Sequence, residues 1–278
     1  MHALSERQLR NGLAGLVAGG AIVVWCCTDL FGHELLASIA ILALFAMSLD
    51  LLAGYSGQVS LGHAAFYGIG AYGTAALSAI LGWPMWLAVP LSILLTAVLA
   101  FGVALFVVRL TGVFFLMITL AIGEMFYSFF FRTRFFGGDD GLGGIPRPDF
   151  SWIGIDLSNP AAFSMFAILI AVLVYCILAR LSDSVLGAII SGVRQNEARM
   201  GAIGCPVISY KVAVFTLAGG IAALAGSLSA QHDGFVSPDL LSWTVSGEVL
   251  IVVIIGGLSS LVGPVIGAAV MVMLAHYI

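Results

Sequence analysis

Residues 54–73 read GYSGQVSLGHAAFYGIGAYG and lie between two apolar runs. The stretch combines closely spaced glycines with three polar side chains, Gln58, Ser60 and His63. Within a bilayer, backbone that is not helical must be buried in protein or line a water-filled cavity. The stretch is therefore expected to be either a broken transmembrane helix or a glycine-packed one whose polar groups face inward. Both alternatives place it beside a path for a polar solute.

The composition places this stretch in a membrane protein. The chain has 278 residues, of which 61% are hydrophobic and 9% charged, and its mean hydropathy is +1.14. A soluble domain carries roughly 25% charged residues. We predict an all-α fold, a polytopic transmembrane helix bundle of about eight spans that occupies residues 1–278 as a single domain. At least one span is expected to be broken or re-entrant near residues 54–73.

Apolar runs of about 20 residues, the length that crosses a bilayer, mark the predicted spans. They cover residues 12–30, 35–53, 64–81, 85–108, 113–131, 161–178 and 211–230. The last apolar part, which ends at Ile278, is interrupted by Gly256-Gly257 and by Gly263-Pro264. It is expected to form a bent helix or two half-helices.

Two polar segments separate the later spans. Residues 132–160 contain GGDDGLGGIPRP, which is rich in turn formers. Residues 182–210 predict a short amphipathic helix, then a glycine break and a proline turn. If the N-terminus is cytoplasmic, seven of the ten basic residues fall on the cytoplasmic side, as is typical of membrane proteins. Segment 182–210 is then cytoplasmic and loop 132–160 lies on the opposite side. The seven are Arg7, Arg10, Arg109, Arg180, Arg194, Arg199 and Lys211.

Several functional classes lack their motifs. Lys211 is the only lysine, so there is no GxxxxGK[ST] phosphate-binding loop, and no HExxH is present. GIGAYG at residues 68–73 matches GxGxxG but lies inside an apolar run, so we do not interpret it as a dinucleotide site. The four cysteines lack metal-ligand spacing, and the net charge of −4 gives no support for nucleic-acid binding. No catalytic residue and no metal site are predicted.

Ionisable and polar residues inside spans are candidates for function. Tyr55, Gln58, Ser60, His63 and Glu124 are our candidates for the substrate pathway. The alternative for the cluster is hydrogen bonding between helices, and a lone histidine such as His63 in an apolar region is more often a hydrogen-bonded core residue than a ligand. Asp50 is expected to reach water at the end of its span. A free-standing carrier or channel, with Asp50, His63 and Glu124 as an ion relay, is the competing function.

The cytoplasmic segment has an apolar face formed by Leu186, Ile189, Ile190 and Val193 at helical spacing. This helix is expected either to lie on the lipid surface or to insert into a groove of a soluble partner.

Six stretches, in this order, resemble the M-type permease of branched-chain amino-acid ABC importers. They span about residues 46–269, and a closely similar subunit occurs in urea and short-chain amide importers. The stretches are GYSGQVSLGHAAFYGIGAY, TGVFFLMITLAIGEMF, GGDDGLGGI, RQNEARMGAIGCPVISYKVAVFTLAGGIAALAGSL, FVSPDLLSW and GGLSSLVGPVIGA.

The resemblance implies a non-enzymatic permease subunit in a bacterial inner membrane. Its partners would be a second, paralogous permease, two cytoplasmic ATPases that bind the ATP and Mg²⁺, and a periplasmic substrate-binding protein. This chain would itself hold no cofactor. Loop 132–160 would be periplasmic, and the substrate would be a branched-chain or other neutral amino acid.

The resemblance also implies that segment 182–210 couples the chain to its ATPases. The implied coupling residues are Arg194, Glu197, Ala198, Arg199, Gly201 and Gly204. Three positions depart from the family pattern: Arg199 stands in place of an alanine, Ser259 in place of a glycine, and Asp50 in place of an asparagine. The family pattern also implies one further span beyond Ile278.

Overall fold

The computed structural model describes residues 29–150 and 155–277, together with Gly15, Gly19 and Trp25, which are helical. The first predicted span covers residues 12–30. Apart from Gly15, Gly19 and Trp25, its residues up to 28 lie outside the described residues. The remaining spans can be compared with the structure one by one.

Helices dominate the described residues, as predicted. Their α-helices are α1 (Leu30–Asp50), α2 (His63–Ala75), α3 (Met85–Val107), α4 (Val113–Arg132), α5 (Pro160–Ser182), α6 (Val185–Gln195), α7 (Glu197–Ala202), α8 (Val207–Asp233), α9 (Trp243–Gly256) and α10 (Val262–Tyr277). Five helices of this part are long and apolar enough to cross a membrane: Phe31–Tyr55, which includes most of α1, and α3, α4, α5 and α8. Each predicted span from 35–53 onwards corresponds to a helix.

Two helices continue as π-helical turns, which the sequence did not predict. Leu51–Tyr55 extends α1, and Ala76–Ile80 extends α2. The last apolar part forms two half-helices, α9 and α10, so this alternative is confirmed. Residues 257–261 separate them.

Short strands occur where only loops were predicted. β1 (Leu142–Gly143) pairs antiparallel with β4 (Phe235–Val236), and β2 (Asp149–Phe150) pairs antiparallel with β3 (Ile155–Asp156). Arg147 supports the pairing of β1 with β4. Its guanidinium donates to the carbonyl oxygens of Gln231 and His232 at the end of α8. Loop 132–160 is thereby held against the end of α8.

Helix α2 is the centre of the bundle, since almost all of its side chains are buried. Its closest neighbour is α8, and glycines permit the approach. A Cβ atom built on Gly226 would lie 1.9 Å from the Tyr67 carbonyl oxygen, and one on Gly70 would lie 2.3 Å from that of Ala223. Thr74 Oγ1 donates to Ser227 Oγ at 2.8 Å in the same contact. Small residues and interhelical hydrogen bonds are the usual means of joining helices in bilayers.

The close approach of α2 and α8 can be tested on α8 itself. Gly226→Ala is expected to lower the free energy of unfolding by about 1–3 kcal/mol, because backbone must move to admit the methyl group. Gly220→Ala is the matched control, since its Cβ atom would make an ordinary 3.7 Å contact with Ala97. It should be neutral or stabilising. Equilibrium unfolding in mixed micelles measures both, and equal losses would contradict this packing.

Candidate functional site

The glycine-rich stretch contains a true helix break. Helix α1 with its π-helical turn ends at Tyr55, residues 56–62 are not helical, and α2 begins at His63. Gly57 adopts a φ of +71°, a left-handed conformation that glycine adopts without steric cost. The broken helix is therefore the alternative that the structure supports. We call residues 56–63 the helix break.

The polar side chains of the helix break are buried. Ser48 Oγ lies 2.7 Å from the Phe45 carbonyl oxygen and 2.9 Å from His63 Nε2. Nε2 is thus engaged by Ser48, which leaves Nδ1 as the other ring nitrogen of His63. Gln58 Oε1 lies 3.2 Å from the Ser56 hydroxyl.

Three polar atoms of the helix break have no hydrogen-bond partner among the described residues. They are Gln58 Nε2, Ser60 Oγ and His63 Nδ1. Buried polar atoms are normally satisfied, and an unsatisfied one costs free energy. An amide donor, a hydroxyl and an imidazole nitrogen therefore lie within one short segment. They are suited to bind water or the polar part of a neutral solute.

Helices α4 and α9 enclose the helix break. A Cβ atom on Gly62 would lie 1.9 Å from the Thr119 carbonyl oxygen, and one on Gly123 would lie 3.1 Å from Gly62 Cα. The Ser246 hydroxyl accepts from the Ala64 backbone N–H at 2.8 Å. These contacts hold the helix break between α4 and α9. The local sequence around Ser246 did not indicate that this residue contacts the site.

The other two pathway candidates flank the helix break. Tyr55 directly precedes it, is half-buried in the π-helical turn and packs against the core. Glu124 is half-buried in α4, next to Gly123, which approaches Gly62. Three of the five candidates, Gln58, Ser60 and His63, therefore lie within the helix break itself.

The expectation that Asp50 reaches water is wrong. Its side chain is buried, with 0% of the residue exposed. The carboxylate accepts from the backbone N–H of Ser259 at 2.7 Å and of Leu261 at 3.4 Å. The turn between α9 and α10 covers it, a contact that a reading of α1 alone cannot anticipate.

The predicted amphipathic helix is two helices. Ser184 caps α6, and Asn196 caps α7 by accepting from the Arg199 backbone N–H at 2.9 Å. Asn196 is an additional interruption, and the predicted glycine break and proline turn follow α7 at Gly204, whose φ is +84°, and at Pro206. On the apolar face Ile190 and Val193 are buried against the bundle, whereas Leu186 is exposed.

The implied coupling residues form one exposed segment with two inward contacts. Lys211 Nζ lies 2.6 Å from Glu197 Oε2, with the lysine side chain 5% exposed and the glutamate 44%. Arg194 donates inward, to the Gly54 carbonyl oxygen and to the Ser259 hydroxyl. Ala198, Arg199, Gly201 and Gly204 are exposed, and a Cβ atom on either glycine would meet nothing within 4 Å. Ile203, which the sequence analysis missed, is 72% exposed.

The ion pair between Lys211 and Glu197 anchors α7 to α8. Lys211→Met is expected to increase local opening of residues 196–205 roughly fivefold, because an ion pair with one exposed partner contributes up to about 1 kcal/mol. Hydrogen exchange read by mass spectrometry checks this. Arg180→Met, an exposed basic residue at the end of α5, is the control. Unchanged exchange in the Lys211 variant would show that the ion pair does not hold α7.

Comparison with known proteins identifies the family. Residues 13–278 match the family model described as branched-chain amino acid transport system / permease component. The chain belongs to this family. The permease LivM of the high-affinity branched-chain amino acid transport system of Salmonella typhimurium is 29% identical over 251 residues, and LivM of Escherichia coli is 29% identical over 253 residues. No solved structure matches.

The matches cover 82% of this chain and 59% of each LivM protein, so the chain spans about three fifths of the curated relatives. Membership in the permease family confirms the resemblance read from the sequence. It also agrees with the polytopic helical bundle that the structure describes. This is a family of transport components in membranes and not a family of enzymes.

Proposed function

We propose that this chain is the permease subunit of a binding-protein-dependent ABC importer that carries branched-chain or other neutral amino acids. Family membership and the printed names of the LivM relatives support this substrate class. The proposed partners are a second, paralogous permease, two ATPases that bind ATP and Mg²⁺, and a periplasmic binding protein. The chain forms a single permease domain in a bacterial inner membrane, with its N-terminus in the cytoplasm.

The exposed α6–α7 segment, residues 182–210, is the observation that carries the proposal. It stands at one end of the bundle, anchored through Lys211 and Arg194, and its small residues leave open space around them. A free-standing channel has no need of such an anchored helix pair. An ATPase groove would receive α7 and the exposed Ile203, and closure of the ATPases would then push on α6 and α8.

The helix break would line the substrate pathway. Its unpartnered groups are neutral, which suits the polar end of a neutral amino acid and would not hold a charged group tightly. Weak contact is appropriate, because conduction requires that the solute also leaves. Affinity would reside in the binding protein, which selects the substrate before delivery. Tyr55, directly before the break, and Glu124, next to Gly123 in α4, would flank this pathway.

Two alternatives compete with this proposal. A urea or short-chain amide importer would use the same segments, so substrate competition decides between them. A free-standing carrier would need Asp50, His63 and Glu124 as a relay. Among the described residues, however, the Asp50 carboxylate accepts from backbone N–H groups and forms no hydrogen bond with His63 or Glu124. This favours the importer.

Site-specific photocrosslinking tests the proposed partner contact. A photoreactive amino acid at Ala198, which is exposed in α7, is expected to capture an ATPase subunit in the assembled complex. The same group at Asp139, exposed in loop 132–160, is the control and should capture none. Capture from Asp139 with none from Ala198 would place the ATPases at the wrong end and overturn the proposal.

A further inference from the structure

A buried carboxylate joins residues that are far apart in the sequence. Asp50 ends α1, and its two backbone donors, Ser259 and Leu261, belong to the turn between the half-helices α9 and α10. Ser259 and Leu261 have φ values of 67° and 53°. Such values are uncommon for residues other than glycine and are costly for a bulky side chain. The turn is thus held in a conformation that its own residues do not favour, and Asp50 binds it there.

The same turn is bound to the end of the cytoplasmic helix α6. Ser259 Oγ donates to the Gly54 carbonyl oxygen at 2.7 Å. Arg194, the last residue but one of α6, donates to that carbonyl oxygen and to the Ser259 hydroxyl. Its positive charge also attracts the Asp50 carboxylate. Asp50, Gly54, Arg194 and Ser259 form one connected set, which we call the Asp50 junction.

Two glycines make this approach possible. A Cβ atom on Gly54 would lie 2.1 Å from Asp50 Oδ1 and 2.7 Å from the Ser259 nitrogen. One on Gly57 would lie 3.2 Å from Arg194 Cγ. Glycine in this part of the chain therefore does more than interrupt a helix. It lets the arginine and the strained turn pack directly onto the backbone that leads into the helix break.

We infer that Asp50 is a positioning residue that makes α6 move together with both interruptions of the membrane helices. A buried charge that loses its partners is strongly destabilising, so the junction is expected to shift as a unit and not to come apart. A push on α7 would reach Arg194 through α6, and from there the helix break and the α9–α10 turn. This inference rests on the proposed importer function and adds the route by which the chain transmits ATPase closure.

Three variants separate transmission from simple stabilisation. Arg194→Gln removes the charge from α6, and Asp50→Asn keeps an acceptor for the Ser259 N–H. Ser259→Gly removes the hydroxyl but relieves the backbone, because glycine tolerates a φ of 67°. Ser259→Gly should therefore fold at least as stably as the native chain. Arg180→Gln, exposed at the end of α5, is the control.

The readouts are amino-acid uptake per ATP hydrolysed by the assembled complex and hydrogen exchange of residues 257–261 in the purified chain. For all three variants we expect uptake per ATP to fall about tenfold, while the rate of ATP hydrolysis stays within twofold of the native rate. For Arg194→Gln we also expect faster hydrogen exchange at residues 257–261. Native coupling in Asp50→Asn, or in both Arg194→Gln and Ser259→Gly, would overturn the inference, as would unchanged exchange at 257–261 in Arg194→Gln. A native complex without ATP-driven uptake would instead refute the importer function itself, whatever the exchange shows.

Discussion

Gly201→Trp is expected to reduce ATP-driven uptake strongly while leaving the chain inserted and folded. A Cβ atom at this exposed position would meet nothing within 4 Å inside the chain, so the larger residue can extend away from it. An ATPase groove fitted to a glycine does not. Loss of a central contact at an interface costs about 2 kcal/mol or more, which predicts a reduction of roughly 30-fold in coupled uptake.

Uptake by the reconstituted complex, with the amount of inserted chain and its thermal stability, measures this effect. Gly102→Trp in α3 provides the control, because its Cβ atom also meets nothing within 4 Å and it lies away from α6 and α7. The control should retain uptake. Native uptake in Gly201→Trp would remove α7 from the partner interface.

Gly62→Ala is expected to disrupt the helix break. The added methyl group would lie 1.9 Å from the Thr119 carbonyl oxygen, and neither backbone can yield without separating α2 from α4. The cost is expected to be about 1–3 kcal/mol of unfolding free energy. Uptake should fall at least tenfold, since displacements of about 1 Å in functional sites have effects of this size or larger.

Unfolding in mixed micelles and uptake are measured on the same preparations. Gly247→Ala is the matched control, because it lies next to Ser246 in α9 and its Cβ atom would have free space. It should behave as the native chain does. A stable Gly62→Ala variant with native uptake would show that the break does not need its contact with α4.

The sequence predicted most of the fold because hydrophobicity and glycine act locally. Runs of apolar residues define the spans, and the glycines and polar residues of 54–73 limited that stretch to a broken helix or a glycine-packed one, of which the structure shows the first. The π-helical turns at Leu51–Tyr55 and Ala76–Ile80 could not be predicted, since they depend on which neighbours pack against each helix. Asn196 could have been recognised as a cap, because side chains of this type favour the start of a helix.

The candidate site was only partly predictable for a different reason. The clustering of Gln58, Ser60 and His63 follows from their short spacing. The pairing of Asp50 with Ser259 joins residues 209 positions apart, and no local pattern indicates it. Asp50 and Ser259 were both singled out as departures from the family pattern, but only the fold shows that they contact each other. The spacing placed Leu186, Ile190 and Val193 on one apolar face, but it does not reveal that α6 meets the bundle through Ile190 and Val193 and leaves Leu186 exposed.

The most direct test of the account is uptake by proteoliposomes that contain the chain with or without its ATPase subunits. Leucine, isoleucine, valine and urea would be offered with the binding protein, with ATP supplied on the side of α6 and α7. The account predicts uptake of at least one of the three amino acids that requires both the ATPases and ATP, and none by the chain alone under an ion or proton gradient; ATP-driven uptake of urea alone would favour the urea importer. Gradient-driven uptake by the chain alone would contradict it.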